Sequence, residues 1–169
     1  MHWIHKTKES TVHKLREFVL NDSFGIAVSD GKDLSIAKTS WPDECRNEEN
    51  DNRFLSLFDE YYWKDYVTWF ENTFNAIPTL GTVWYQVYEH GDSHDWHRHA
   101  GTTQQYANVL YLSLPCKTLT TQFRDSFPEA EEGDTLVFNP FEDHCSPINH
   151  TFSPKIVIAF NVIWKTINS

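Results

Sequence analysis

Cysteine is scarce in this sequence: Cys45, Cys116 and Cys145 are the only three, and no two of them form a CxxC pair. An odd number of widely spaced cysteines argues against both a disulfide framework and a zinc ribbon. Long apolar runs are missing as well, since no stretch approaches the length of a membrane span and the opening MHWIHKTKES lacks the apolar segment of a signal peptide. We therefore expect a soluble, cytoplasmic protein with reduced thiols and no membrane partner.

Positive charge is also in short supply. Lysine and arginine together number 14 against 24 aspartates and glutamates, which gives a net charge of -10 at pH 7. The basic residues are spread along the chain and form no patch that could offset the repulsion of phosphates, so nucleic acid is not an expected partner. At 169 residues, without an internal repeat or a linker, the sequence predicts a single domain over residues 1–169.

The first part of the domain, residues 1–80, is predicted to be helical. A short amphipathic helix is expected at TVHKLREFVL, with Ser10 as its cap. A longer helix is expected from Arg53 to Asn75, where aromatic residues recur at helical spacing: Phe54, Phe58, Tyr61, Tyr62, Tyr66, Trp69, Phe70 and Phe74. Such a stripe is typical of a helix face packed on a sheet. The acidic stretch at residues 41–52, WPDECRNEENDN, is predicted to be an exposed loop.

The second part, residues 81–169, consists of short β-branched and aromatic runs between turn-forming residues. These runs are TVWYQVYEH, QYANVLYLSLP, TLTTQFRD, DTLVFNP and KIVIAFNVIW. The pattern is typical of antiparallel strands in a sandwich or barrel. Helices followed by strands predict an α+β fold, mainly β, in which the N-terminal helices pack on one sheet.

A cluster of histidines stands between the first two predicted strands, in the segment GDSHDWHRHAG. His94, His97 and His99 occupy a span of six positions there. Residues of an extended segment alternate between faces, so His97 and His99 are expected to project to the same side. Two crowded imidazoles repel each other when protonated, but a divalent cation replaces that repulsion with two nitrogen–metal bonds. The pattern therefore predicts a metal site, with two solvent-exposed loop histidines as the alternative.

Two ligands are too few for a protein metal site, and the sequence offers several candidates for a third. His144 follows the predicted strand DTLVFNP and is distant in sequence from the cluster. Asp95, on the same expected face as His97 and His99, and His94 are nearer alternatives. The residues alone leave this choice open.

Several motifs occur between Val83 and Val162 in an order that resembles a known family. The order is YQVYEHGDSHDWHRH, then NVLYLSLP, then PEAEEGDTLVF, then His144, then SPKIVIAFNV. It is similar to the iron(II)- and 2-oxoglutarate-dependent dioxygenases, in particular to small phage and bacterial members with an HxH variant of the first ligand motif. The likeness covers about half of the chain.

This resemblance implies a double-stranded β-helix, or jelly roll, in which His97, His99 and His144 bind Fe(II). It also implies that Lys155 binds the distal carboxylate of 2-oxoglutarate and that O2 is the second cosubstrate. Asn108 is expected to contact a cosubstrate carboxylate, with a buried structural amide as the alternative. The implied activity is hydroxylation of a substrate, coupled to conversion of 2-oxoglutarate into succinate and CO2.

Two residues depart from the usual pattern of this superfamily. His99 stands where most members have an aspartate, which makes all three ligands neutral and the site less selective for iron. Lys155 stands where most have an arginine, and a point charge orients a carboxylate less strictly than a bidentate fork.

Two other classes of protein remain open. One is a cupin-like protein with three histidine ligands, because Gly91, His97, His99 and Gln104 approach the first cupin motif, with glutamine in place of the usual glutamate. The other is a jelly-roll viral accessory or structural protein, in the host cytoplasm, that retains a vestigial metal site. Dependence on 2-oxoglutarate separates the dioxygenase from both.

Overall fold

Two antiparallel sheets form the body of the protein in a computed structural model, which describes residues 1–22, 35–40 and 48–167. The strands are β1 (Trp3–Lys6), β2 (Ser35–Ile36), β3 (Lys38–Thr39), β4 (Ala76–Tyr88), β5 (Ser93–His97), β6 (Gln105–Ser113), β7 (Gln122–Phe123), β8 (Asp134–Phe138), β9 (His144–Ser146) and β10 (Lys155–Thr166). The larger sheet has the order β1-β8-β6-β10-β4-β3, and the smaller has the order β2-β5-β9-β7. Each strand pairing within them is antiparallel.

Within the described residues, three α-helices accompany the sheets. They are α1 (Glu9–Asp22), α2 (Glu48–Phe58) and α3 (Lys64–Phe74), and a five-residue π-helical turn at Asp59–Trp63 joins α2 to α3. The C-terminus of α3 is capped by Asn75, whose left-handed backbone (φ 50°) lets its N–H donate to the carbonyl oxygen of Glu71 at 3.0 Å. The predicted end of this helical region at Asn75 is confirmed, whereas its start lies at Glu48, five residues before the predicted Arg53.

Alternate residues of a strand point to opposite faces of a sheet. In the larger sheet, both sets of residues are mainly apolar, so both faces are buried. One face packs on the helices, where Phe58 lies against Phe160 of β10 with ring centroids 5.3 Å apart. The opposite face, which we call the inner face, packs on the smaller sheet, where Phe138 of β8 lies 5.0 Å from Phe123 of β7 between ring centroids. Helices on one sheet and a second sheet on its other face are the arrangement predicted from the sequence.

The N-terminal part differs from the expectation of a purely helical segment. It contributes β1, which pairs with β8, together with the two-residue strands β2 and β3. Strands of two to four residues contain too little alternation for a sequence pattern to identify them. Of the predicted loop at residues 41–52, residues 48–52 lie in α2, whereas residues 41–47, with Cys45, lie outside the described part. No described helix has the length and apolar character needed to cross a membrane.

The aromatic stripe of α2 and α3 is buried, which makes its contribution to stability measurable. Phe58 is fully buried, so Phe58→Ala is expected to lower the free energy of unfolding by about 3 to 5 kcal/mol in urea denaturation. Leu55 lies in the same helix and is 41% exposed, so Leu55→Ala serves as the matched control, with an expected loss under about 1 kcal/mol. A loss below about 1 kcal/mol for Phe58→Ala would show that the helix does not depend on this contact.

Candidate metal centre

Three of the histidines singled out in the sequence converge on the smaller sheet. His97 ends β5 and His144 begins β9, and the two are direct cross-strand partners with ring centroids 4.2 Å apart. His99 follows β5, and its backbone N–H donates to the carbonyl oxygen of Pro140 at 2.8 Å, which ties the segment after β5 to the loop before β9. One ring nitrogen from each of His97, His99 and His144 lies within 4.8 Å of the others. The structure thus brings His144 together with His97 and His99, which are distant from it in sequence.

A β-bulge in β5 determines which side chains face this cluster. His94 pairs with Ser146 and His97 with His144, so Asp95 and Trp96 together lie opposite the single residue Cys145. The extra residue places His94 on the same face as His97, with their rings stacked at 3.9 Å between centroids.

The bulge also corrects the expectation that Asp95 shares the face of His97 and His99. Asp95 is exposed, and its Oδ1 atom accepts a hydrogen bond from the backbone N–H of Trp96 at 2.7 Å. Among the described residues, His144 rather than Asp95 or His94 joins His97 and His99 as a group with ligand spacing.

The orientation of the imidazole rings suits a shared cation. Nδ1 of His97 lies 2.8 Å from the carbonyl oxygen of Asp95, and Nδ1 of His144 lies 2.8 Å from that of Glu142. A carbonyl oxygen only accepts, so in both rings Nδ1 carries the proton and Nε2 keeps its lone pair. Metal-binding histidines are held in this way, with one nitrogen on the metal and the other N–H on an acceptor.

The electrostatics of the site keep the three imidazoles neutral. Burial, followed by the neighbouring His97 ring, lowers the pKa of His144 to about 3. The same two causes lower the pKa of His99 to about 4, and a polar contact with Asn161 offsets only part of that. Burial also lowers the pKa of His97. At pH 7 all three rings therefore offer lone pairs, as metal binding requires.

The spacing of the nitrogens is compatible with one divalent cation. Nitrogen ligands at about 2.1 Å from a metal in adjacent positions lie about 3 Å from one another. The nitrogens here are within 4.8 Å of one another, the spacing of a group that could hold one metal ion. The donor set and its tautomers fit a borderline transition-metal ion better than Ca²⁺ or Mg²⁺, which prefer oxygen ligands.

Lys155 lies on the inner face near the same cluster. Its Nζ atom donates to Oγ of Ser146 at 2.7 Å and lies 5.1 Å and 5.8 Å from the ring centroids of Tyr88 and Tyr111. Ser146 is also the cross-strand partner of His94, so the lysine and the histidines share one interior region.

The side chain of Lys155 is 1% exposed, and burial lowers its pKa to about 7. No carboxylate within the described part of the chain lies at ion-pair distance from it. A buried amine without a counter-ion is costly, and an anionic ligand would remove that cost.

Asn108 does not lie where a cosubstrate-binding residue is expected. It pairs with Phe160 and, like Phe160, points to the helix face of the larger sheet. Its Oδ1 accepts from the Tyr66 hydroxyl at 2.6 Å, and its Nδ2 donates to the carbonyl oxygens of Tyr106 and Phe160, both at 3.2 Å. The expectation that Asn108 faces the pocket is therefore wrong, and its contacts are those of the alternative, a buried structural amide.

Sequence reasoning missed other residues of the inner face, in particular Ser146 and Asn161. Ser146 could have been found, because it stands two residues after His144 in an extended strand and must share its face. Arg124, a second cation in this half of the chain, lies over the Trp96 ring at 3.9 Å from the centroid and is more than half exposed. It is not the buried cation of the site.

Neither a protein-family model nor a curated protein matches the sequence, but solved structures share its fold. The viral collagen prolyl hydroxylase vCPH from Paramecium Bursaria Chlorella virus-1, in its 2OG complex, is similar at a TM-score of 0.62 and 10% identity, over 96% of each chain. A Pseudomonas putida prolyl-4-hydroxylase gives 0.61 and 13%, over 99% of this chain and 92% of that one.

HygX from Streptomyces hygroscopicus, with nickel and 2-oxoglutarate bound, gives a TM-score of 0.64 at 11% identity, over 96% of this chain and 82% of that one. Identities this low show a common fold. That fold is the jelly roll of 2-oxoglutarate-dependent oxygenases, so the predicted fold class is confirmed.

The neutral histidines predict a specific response to acid. The unfolded chain protonates His144 near its ordinary pKa of 6.5, whereas the folded protein does so only at about 3. Between these values the unfolded state binds more protons, so stability is expected to fall as the pH falls from 6.5 towards 4. His144→Gln should make this fall shallower, by up to about 1.4 kcal/mol per pH unit, in urea unfolding with a chelator present. Equal slopes for both proteins would show that His144 is protonated in the folded state.

Proposed function

We propose that the protein is a non-haem iron(II)- and 2-oxoglutarate-dependent dioxygenase that hydroxylates a substrate. One observation carries the proposal: three neutral imidazoles converge in the same interior region as a buried lysine that has no carboxylate partner among the described residues. The first feature suits a divalent metal, and the second suits an anion bound beside it. The fold shared with vCPH and HygX, whose structures contain 2-oxoglutarate, supports the same assignment.

His97, His99 and His144 would hold Fe(II) through Nε2, since Nδ1 of His97 and of His144 is already committed to a backbone carbonyl. When bound, iron supplies the redox chemistry that couples oxidation of 2-oxoglutarate by O2, to succinate and CO2, to hydroxylation of a C–H bond. The residues of this chain would orient the ligands, and the ring of Phe138, which lies 4.7 Å from that of His144 between centroids, places apolar surface beside the cluster. A dry, enclosed site keeps such an oxidation directed at the substrate.

Lys155 would bind the distal carboxylate of 2-oxoglutarate. The ammonium group already donates to Ser146 and has further N–H donors available for an incoming anion. With a pKa of about 7, the free amine is close to half protonated at neutral pH, and a carboxylate beside it favours the charged form. The cupin-like alternative assigns no function to this buried cation, so the dioxygenase assignment accounts for more of the site.

The metal ligands can be tested by metal content. Wild-type protein purified without oxygen is expected to hold about one Fe(II) per chain, and His144→Ala or His97→Ala should hold almost none. His94→Ala is the matched control, because its ring stacks on His97 but lies outside the three-histidine group, and it should retain the metal. Elemental analysis of the four proteins decides this. Full metal content in His144→Ala would exclude the proposed triad.

The cosubstrate can be tested by anaerobic titration of the iron-loaded protein with 2-oxoglutarate, monitored through its charge-transfer absorption. Lys155→Ala is expected to weaken 2-oxoglutarate binding by about thirtyfold or more without loss of iron, because it removes one partner of a buried ionic pair. Lys155→Arg should retain binding if the pocket accommodates the longer side chain. Lys117→Ala is the surface control, since Lys117 is exposed and pairs with Glu131.

Equal affinity in the wild type and Lys155→Ala would remove Lys155 from the site. If the wild type binds iron but no 2-oxoglutarate, the cupin-like protein or the viral accessory protein with a vestigial site becomes the better assignment. Formation of succinate from 2-oxoglutarate and O2 would in turn distinguish an enzyme from a vestigial site.

A further inference from the structure

The third candidate ligand lacks the support that the other two have. His97 and His144 each place Nδ1 at 2.8 Å from a backbone carbonyl oxygen. Nδ1 of His99 is buried, but it makes no formed hydrogen bond within the described part of the chain. Without an acceptor at Nδ1, nothing fixes which nitrogen of His99 carries the proton.

A second buried polar atom without a formed hydrogen bond lies beside it. Oδ1 of Asn161 is buried and likewise unpartnered among the described residues, and the Asn161 side chain is in polar contact with His99. A histidine N–H can only donate and an amide oxygen can only accept, so the two atoms are complementary. Buried polar atoms are rarely left unpaired, which makes a pair of complementary ones in contact informative.

The backbone of β10 directs Asn161 towards the site. Asn161 pairs with Ala107 of the inner face, whereas its neighbours Phe160 and Val162 point to the helices. The register between β10 and β4 shifts at this position, where Gly81 and Thr82 of β4 together lie opposite the single residue Asn161. The extra residue lies in β4, so β10 keeps its regular alternation, and that alternation points Asn161 to the inner face.

A glycine makes room for this bulge. A Cβ atom on Gly81 of β4 would stand 3.1 Å from the backbone oxygen of Asn161 and 3.5 Å from its Cβ. Any larger residue at position 81 would therefore push β10 at Asn161 away from β4. Gly81 therefore allows the close approach of β4 to β10 at Asn161.

We propose that Asn161 is a positioning residue for the metal centre: its Oδ1 accepts a hydrogen bond from Nδ1–H of His99 and so directs Nε2 of His99 to the cation shared with His97 and His144. This inference rests on the proposed metal site and deepens it.

Because the third candidate ligand is a histidine, the site needs a positioning residue for it. A carboxylate ligand has no tautomers, and either of its oxygens can bind a metal. An imidazole binds through Nε2 only if its proton is on Nδ1, so an acceptor at Nδ1 selects the binding-competent form. The substitution of the usual aspartate by His99 therefore creates a requirement that Asn161 meets, while the backbone meets it for His97 and His144.

The inference is tested by Co(II) binding, followed through the visible absorption of the bound ion. Asn161→Leu keeps the approximate shape of the side chain but removes the acceptor, and it is expected to weaken Co(II) binding about 10- to 100-fold. Asn161→Asp keeps an acceptor oxygen and should restore affinity to within a few-fold of the wild type. Asn108→Leu is the matched control, because Asn108 is a buried asparagine of the same sheet that points to the opposite face. It should lower stability and leave Co(II) affinity unchanged.

A spectroscopic signature separates positioning from general loss of structure. In the Zn(II)-loaded wild type, histidine ¹⁵N–¹H spectra should show a slowly exchanging Nδ1–H on His99, and this signal should be lost or exchange rapidly in Asn161→Leu while those of His97 and His144 persist. Co(II) affinity in Asn161→Leu equal to that of the wild type would overturn the inference while leaving the metal site intact. Failure of Asn161→Asp to rescue binding would also overturn it. Absence of Co(II) binding in the wild type would instead overturn the proposed metal site and this inference with it.

Discussion

One extra residue in β5 sets the position of the candidate site. Because Asp95 and Trp96 together lie opposite Cys145, His97 comes to face His144 directly across the sheet. Without the bulge, the cross-strand partner of His144 would be Trp96, and His97 would move to the other face of its strand. The backbone contact of His99 with Pro140 then holds the last ligand candidate over the same region. The geometry of the candidate metal site is therefore a property of strand register rather than of the HxH motif alone.

Burial lowers the pKa of three histidines and one lysine of this interior, but with different consequences. It keeps His97, His99 and His144 neutral, which preserves the lone pairs that a metal needs. It also lowers the pKa of Lys155, which makes an amine that is ordinarily charged responsive to whatever binds beside it. The same desolvation therefore keeps the histidines neutral and makes the protonation of Lys155 depend on whether an anion lies beside it.

The sequence predicted the features that depend on repeated patterns. The aromatic stripe located the helices and the face that they bury, and strand alternation with turn residues located β4, β6, β8 and β10 together with the two-residue edge strand β7. Motif order, through a family resemblance, singled out His144 as the third histidine and Lys155 as the interior cation. These two residues are far from the HxH pair in sequence, and spacing by itself could not have selected them.

The sequence could not predict features that depend on a shift of one residue. Asp95 was expected beside His97 because regular alternation places it there, and a bulge moved it. Asn108 was expected in the pocket and Asn161 was not considered, although the two are the same residue type on adjacent strands. Which face each occupies depends on the register of β6 and β10, in which Asn108 pairs with Phe160 and Asn161 with Ala107. Nothing in the composition of either strand fixes that register.

The two departures from the usual residues of this fold, His99 and Lys155, have opposite effects on the charge of the site. An imidazole in place of a carboxylate leaves the site one unit more positive when a metal is bound. An arginine opposite the ligand would be charged at every accessible pH, whereas Lys155, with a pKa of about 7, can release a proton. The lysine is therefore able to compensate for the charge that His99 adds, which an arginine could not do. Under the proposed function, the charged form of Lys155 is favoured when a dianion binds beside it, so the interior of this acidic protein carries no fixed positive charge at position 155 without the ligand.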